Sequence, residues 1–155
     1  MKAKLLIEIV VSGKEICKEN LDSPEIKLKE SSAVTFFVNA DSAFSRLTQI
    51  SPSWPIGYFW RGRANSYLDP KNEKWLAKPH YEKAVQLVKP EERATLYKAN
   101  MIEACEYLGY YFLKQKDNAK AKEYFSKTLA LDPANANALD NMKVLSTTAA
   151  KTGGK

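Results

Sequence analysis

The sequence has one histidine, two cysteines and six glycines in 155 residues, and these shortages exclude several kinds of chemistry. His80 has no Cys, Asp or Glu partners at ligand spacing, so no metal site is expected, and it reads as a surface or half-buried helix residue. Cys17 and Cys105 form neither a metal-ligand spacing nor a redox Cys-x-x-Cys. The glycines build no phosphate-cradling loop, and Gly153 and Gly154 stand in the last few residues. No apolar run approaches the roughly 20 residues that a membrane helix needs. Met1-Lys2-Ala3-Lys4 followed by Leu5 to Val11 has the outline of a secretory signal. Glu8 interrupts it and no small-x-small site follows, so no cleavage is expected. The net charge of +6 is spread along the chain without a dense Lys/Arg block, which disfavours nucleic acid as a partner.

What is present is a globular composition. Hydrophobic residues at 45% and charged residues at 27% allow one domain with a real core. Periodicity then sets the fold class. From Ile102 to Asn135 the pattern Cys105-x2-Leu108-Gly109-x2-Phe112 is followed by Ala121-x3-Phe125-x2-Thr128-x4-Pro133. Gly109 and Ala121 are small enough for two antiparallel helices to approach closely, while Leu108, Phe112 and Phe125 lie on the stripe between them. Lys116-Asp117-Asn118 breaks the pair, with Asp117 or Asn118 as N-cap, and Asp132-Pro133 stops the second helix. A looser copy places Tyr58-x2-Arg61-Gly62-x2-Asn65 before Ala77-x3-Tyr81-x2-Ala84. Pro79 should either kink the second helix or mark its first turn. A partial copy is Ala40-x3-Phe44-x2-Leu47-x4-Pro52.

These residues resemble the tetratricopeptide (TPR) family. The resemblance covers residues 40–145 and is most specific over 102–135. The stretches 64–70, 76–79 and 107–111 also resemble the TPR tail of larger bacterial cell-envelope proteins. The implied fold is all-α, a right-handed superhelical stack of antiparallel helix pairs with a C-terminal capping helix. As one domain over 1–146 it divides into a degenerate N-terminal segment (1–38), a partial repeat (40–52), a second repeat (55–88), a third repeat (91–133) and a cap (134–146). Residues 147–155 read as a frayed tail. Phe44 to Tyr81 spans 37 residues and Tyr81 to Phe125 spans 44, against 34 in a regular repeat. The excess in the second interval is expected to lengthen one helix, from Glu91 to about Gln115. On the cap, Ala138, Leu139, Met142 and Leu145 share a face.

Leu5 to Val11 and Ala33 to Val38 carry β-branched and aromatic residues that favour strands, while Gly13 to Asn20 and Glu25 to Lys29 look helical. Helices are preferred, with Phe36 and Phe37 ending a short first helix. The alternative pairs these apolar segments with a second copy of the chain, giving a homodimer.

No catalytic constellation emerges, and neither enzymatic activity nor a cofactor is expected. Cys105 reads as a small core residue. Glu103 and Glu106 share a helix face without a partner acid or base, and read as solvated. Tyr58-Phe59-Trp60 and Tyr107 with Tyr110-Tyr111-Phe112 could stack on bases. At helical spacing most of these rings belong between helices. The family resemblance implies a protein or peptide partner bound along the concave surface made by the first helix of each repeat. Carried over by position, that groove should present Ile56, Phe59, Arg63 and Ser66, then Glu103, Glu106, Tyr110 and Leu113. Glu103 and Glu106 replace part of the basic clamp with which chaperone-binding members hold a terminal carboxylate, so no such clamp is expected. The chain is expected to be soluble, cytoplasmic or periplasmic.

Overall fold

The computed structural model describes residues 24–152, with side chains described from 32 to 147. The described residues form six α-helices and no strand. They are α1 (Pro24–Ile50), α2 (Pro55–Leu68), α3 (Lys78–Leu87), α4 (Lys98–Lys114), α5 (Asn118–Leu131) and α6 (Ala136–Thr152), with a 3₁₀ turn at Pro90–Glu92. Each helix packs chiefly on its neighbours in sequence, and α2 also touches α4, so the first helices of successive pairs lie side by side. This is an all-α helical-repeat fold.

Proline and aspartate set most of the boundaries. Pro55 begins α2, where its fixed φ suits a first helical position and its missing N–H costs nothing. Pro79 lies in the first turn of α3, the second of the two roles its sequence position allows. The Asp117 side chain accepts from the Lys120 N–H at 3.2 Å and caps α5. Before it, Lys116 takes a left-handed backbone (φ 61°) that closes the end of α4. Asn135 accepts from the Ala138 N–H at 2.9 Å and starts α6.

The core divides in two. One cluster joins α2, α3 and α4 through Phe59, Tyr81, Val85, Met101, Cys105 and Leu108. The other joins α4, α5 and α6 through Phe112, Ala121, Phe125, Ala138 and Leu145. Close helix approach depends on Gly62 and Gly109. A Cβ on Gly62 would come within 2.6 Å of the Tyr81 ring, and one on Gly109 within 2.8 Å of the Phe125 ring. At the N-terminal end, Phe37 stacks on Tyr67 and Phe44 on Trp60, fastening α1 to α2.

Four sequence expectations need correction. Phe36 and Phe37 do not end a helix, because α1 runs through them to Ile50. The stacking of Phe37 on Tyr67 at 4.6 Å rewards the helical form over local strand propensity. The third repeat's first helix is not extended back to Glu91. Residues 88–97 instead form an extended Val88, the 3₁₀ turn and a short irregular strap, and α4 starts at Lys98. The strap is anchored by Tyr97, buried and stacked on Phe59 at 5.9 Å. On α6, Ala138 and Leu145 are buried and Met142 packs beside them, but Leu139 is 39% exposed. The helix continues through Thr152, past the start of the expected tail. The expectations for Leu5 to Val11 and Gly13 to Asn20 lie outside the described residues, as does Cys17.

Candidate functional site

A channel runs across α2, α4 and α6. Its first part is a pocket of about 440 Å³ lined by Arg63, Ser66, Tyr67, Pro70 and Glu103. The second, of about 430 Å³, takes Ser66, Glu103, Glu106 and Tyr110 from α2 and α4 and Asn137 and Asn141 from α6. Tyr81, Tyr107 and Phe125 lie behind them. Ser66 and Glu103 belong to both parts, so the two adjoin at these side chains.

Glu103 is the polar centre of the floor. Arg63 Nε lies 3.0 Å from each of its carboxylate oxygens, and Arg63 Nη2 also donates to Oε2. The Tyr81 hydroxyl donates to Oε1 at 2.6 Å. One carboxylate thus links α2, α3 and α4, and both partners approach it in the charge-assisted way that gives the stronger hydrogen bonds. Burial pushes the Tyr81 phenol well above its ordinary value, and the neighbouring carboxylate adds to the shift. Tyr81 is therefore a permanent donor at neutral pH. Arg63 also lies over the Trp60 ring, 4.7 Å from its centroid. With Arg63 and Glu103 cancelling each other, Glu106 carries the remaining charge of the channel. It makes no ion pair among the described residues.

The turn between α2 and α3 forms one wall. Asp69 accepts from the backbone N–H groups of Glu73 and Lys74, each at 2.9 Å. Burial opposes its charge, but these N–H groups, with those of Trp75 and Leu76, win and hold the carboxyl below its ordinary value. Trp75 has a left-handed backbone (φ 55°), which is costly for a bulky residue. Its ring offsets that cost by packing against Tyr111, Tyr107 and Tyr110, with centroids 5.0 to 5.9 Å apart. Burial and then Asp69 push the Tyr107 phenol up to about 12, with the backbone of Ala77 opposing.

Five of the eight residues expected in the groove line this channel: Arg63, Ser66, Glu103, Glu106 and Tyr110. Three do not. Phe59 is 2% exposed and belongs to the core, because Tyr97 from the strap covers it. Ile56 packs against that same cluster, and Leu113 against the second one. Asn137 and Asn141 were missed by reading α6 as a cap alone, although their spacing of four puts them on one helix face.

Elsewhere, Cys105 is buried and burial pushes its thiol up to about 11, which keeps it protonated and unreactive at neutral pH. His80 is half-buried. Desolvation, then the charge of Arg61, lowers its pKa, with Asp41 opposing. Arg61 and Asn65 both donate to Asp41, at 2.9 and 2.8 Å, tying α1 to α2. Among the described residues no three His, Cys, Asp or Glu side chains gather as metal ligands, and no helix is long and apolar enough to cross a membrane.

Comparison with known proteins agrees with this geometry. The family model of the tetratricopeptide repeat matches residues 102–135. A solved structure described as the C-terminal part of a TPR repeat-containing protein from Cytophaga hutchinsonii is similar, with a TM-score of 0.62 and 37% sequence identity. The match covers 78% of this chain and 47% of that one, so the present chain spans about half of its length. No curated protein matches the sequence.

Proposed function

We propose that this chain, an all-α helical-repeat protein carrying a tetratricopeptide repeat, is a non-catalytic interaction module that holds a peptide or protein segment in the channel along α2, α4 and α6. Such repeats are generally protein-interaction modules, and stacked helix pairs present extended concave surfaces for that purpose. The observation that carries the reading is that the two pockets adjoin at Ser66 and Glu103, which line both. Together they offer an extended segment a path across three helices rather than one isolated hole. The channel also has a rigid floor, since Glu103 is held by both Arg63 and Tyr81. A preorganised surface loses less conformational entropy on binding.

The test is to obstruct the shared point of the channel. Ser66→Trp should abolish partner capture and leave the melting temperature within a few degrees of the wild type. A substitution at exposed Ser126 on α5 should change neither. Full capture by a well-folded Ser66→Trp protein would remove the channel from consideration.

A self-associating module is the second reading. Val34 and Val38, one turn apart on α1, are 53% and 50% exposed and form an apolar strip outside the channel. Light scattering on the wild type and on Val34→Glu/Val38→Glu tests it. A monomer in both cases removes it.

A further inference from the structure

We propose that the segment held in the channel presents an arginine side chain to Glu106, an inference that rests on the channel reading above. The chain contains a worked example of the arrangement. Arg63 places its guanidinium over the Trp60 ring at 4.7 Å and spreads across both oxygens of Glu103. A carboxylate beside an aromatic face is what a planar, five-donor guanidinium fits best. Glu106 stands one turn further along α4, on the same face as Glu103. It too has aromatic neighbours in its pocket, Tyr107 and Tyr110, but no ion-pair partner among the described residues.

The rest of the pocket suits the same occupant. Asn141 Nδ2 donates to the Asn137 carbonyl at 2.8 Å, which leaves the Asn141 side-chain oxygen available as an acceptor. At about 430 Å³ the pocket has room for a guanidinium and its aliphatic stem. The charge balance selects in the same direction. Among the lining residues Arg63 and Glu103 pair with each other, and Glu106 is the one further charge, in a chain of net charge +6. That charge repels a phosphate backbone and attracts a cation. The Tyr110 ring already takes one, since Lys114 Nζ lies 5.0 Å from its centroid. Lys114 is exposed and can swing away, so it acts as a weak resident competitor for an incoming guanidinium.

The test is selection of a phage-displayed library of random dodecapeptides on the full chain, followed by fluorescence polarisation with the enriched peptides. The expected consensus contains arginine. Glu106→Gln, or replacement of that arginine by glutamine, should each weaken binding about tenfold, and the two together should add little. Lys114→Met should tighten binding a few-fold. Among the described residues the Glu106 side chain makes no ion pair that its replacement would break, and an unchanged helical circular dichroism signal verifies folding. Peptides without arginine, or equal binding to wild type and Glu106→Gln while Ser66→Trp abolishes it, would overturn the arginine assignment and leave the channel reading standing. If no peptide is enriched, or the enriched ones bind Ser66→Trp as well as wild type, both fall.

Discussion

The helix pairs α2–α3 and α4–α5 solve one packing problem with different polar furniture. In both, a glycine on the first helix receives an aromatic ring from the second: Tyr81 against Gly62, Phe125 against Gly109. Phe125 ends there as a purely apolar plug. Tyr81 carries its hydroxyl through the core and delivers it to Glu103 on the next pair. The turns differ as well. A compact Asp117 cap closes α4–α5, whereas a long turn organised by Asp69 and filled by Trp75 closes α2–α3. Both pairs contribute to the channel: the irregular one brings Arg63, Ser66, Tyr81 and Pro70, and the regular one brings Glu103, Glu106 and Tyr110, with the Tyr81–Glu103 hydrogen bond joining them.

The largest effects should come from removing the two rings. Phe125→Ala should cost about 3–5 kcal/mol in urea unfolding, the range for a large aromatic lost from a packed core. Tyr81→Ala should cost at least as much, because it also removes a hydrogen bond from the Glu103–Arg63 pair. A clearly smaller loss for Tyr81 would break the proposed equivalence. Next come the glycines. Gly62→Ala and Gly109→Ala should each cost about 1–3 kcal/mol through overpacking. Gly62 should be the worse, since its clash is 2.6 Å against 2.8 Å.

The polar difference is tested by smaller changes. Tyr81→Phe makes the first pair resemble the second and should cost about 1.5–3 kcal/mol, the range for one hydrogen bond to a charged acceptor. It should also loosen the channel floor. Asp117→Ala should cost about 1 kcal/mol through loss of the cap on α5. Asp69 gives the subtlest signature, one of pH rather than magnitude. Its folded pKa lies below the ordinary value of 3.8. Its contribution to stability is therefore complete above that value and is lost as pH falls through the depressed folded one. Acid titration of Asp69→Asn should lack that component, whereas Asp117→Asn should retain it.

Much of this architecture was legible in the sequence, and unevenly so. The pair containing Gly109 and Phe125 could be read residue by residue, because small and aromatic positions recur at helical spacing within one contiguous stretch. The strap from 88 to 97 could not. Glu91 and Glu92 look like the acidic first turn of a helix, and only the tertiary burial of Tyr97 against Phe59 shows why the chain stays irregular there. That same contact takes Phe59 out of the groove, so one misread segment carried a groove residue with it. The length of α1 was hidden by strand-favouring residues at 33–38, whose helical form is secured by Tyr67 some thirty residues away in sequence. The channel half on α4 was legible from the repeat register. Its other wall, Asn137 and Asn141, was not, because a capping helix is expected to cover a core rather than to face a partner.

The central claim is that the channel is where a partner lies, and site-specific photo-crosslinking tests it most directly. A photoreactive amino acid is placed at Ser66, at Tyr110 or at exposed Ser126, and the protein is irradiated in its native extract. The expected result is one crosslinked partner shared by the Ser66 and Tyr110 proteins and absent from the Ser126 protein, with the attached residues falling in a single short segment of that partner. The same partner captured equally from Ser126, or captured from Ser126 alone, would contradict the account.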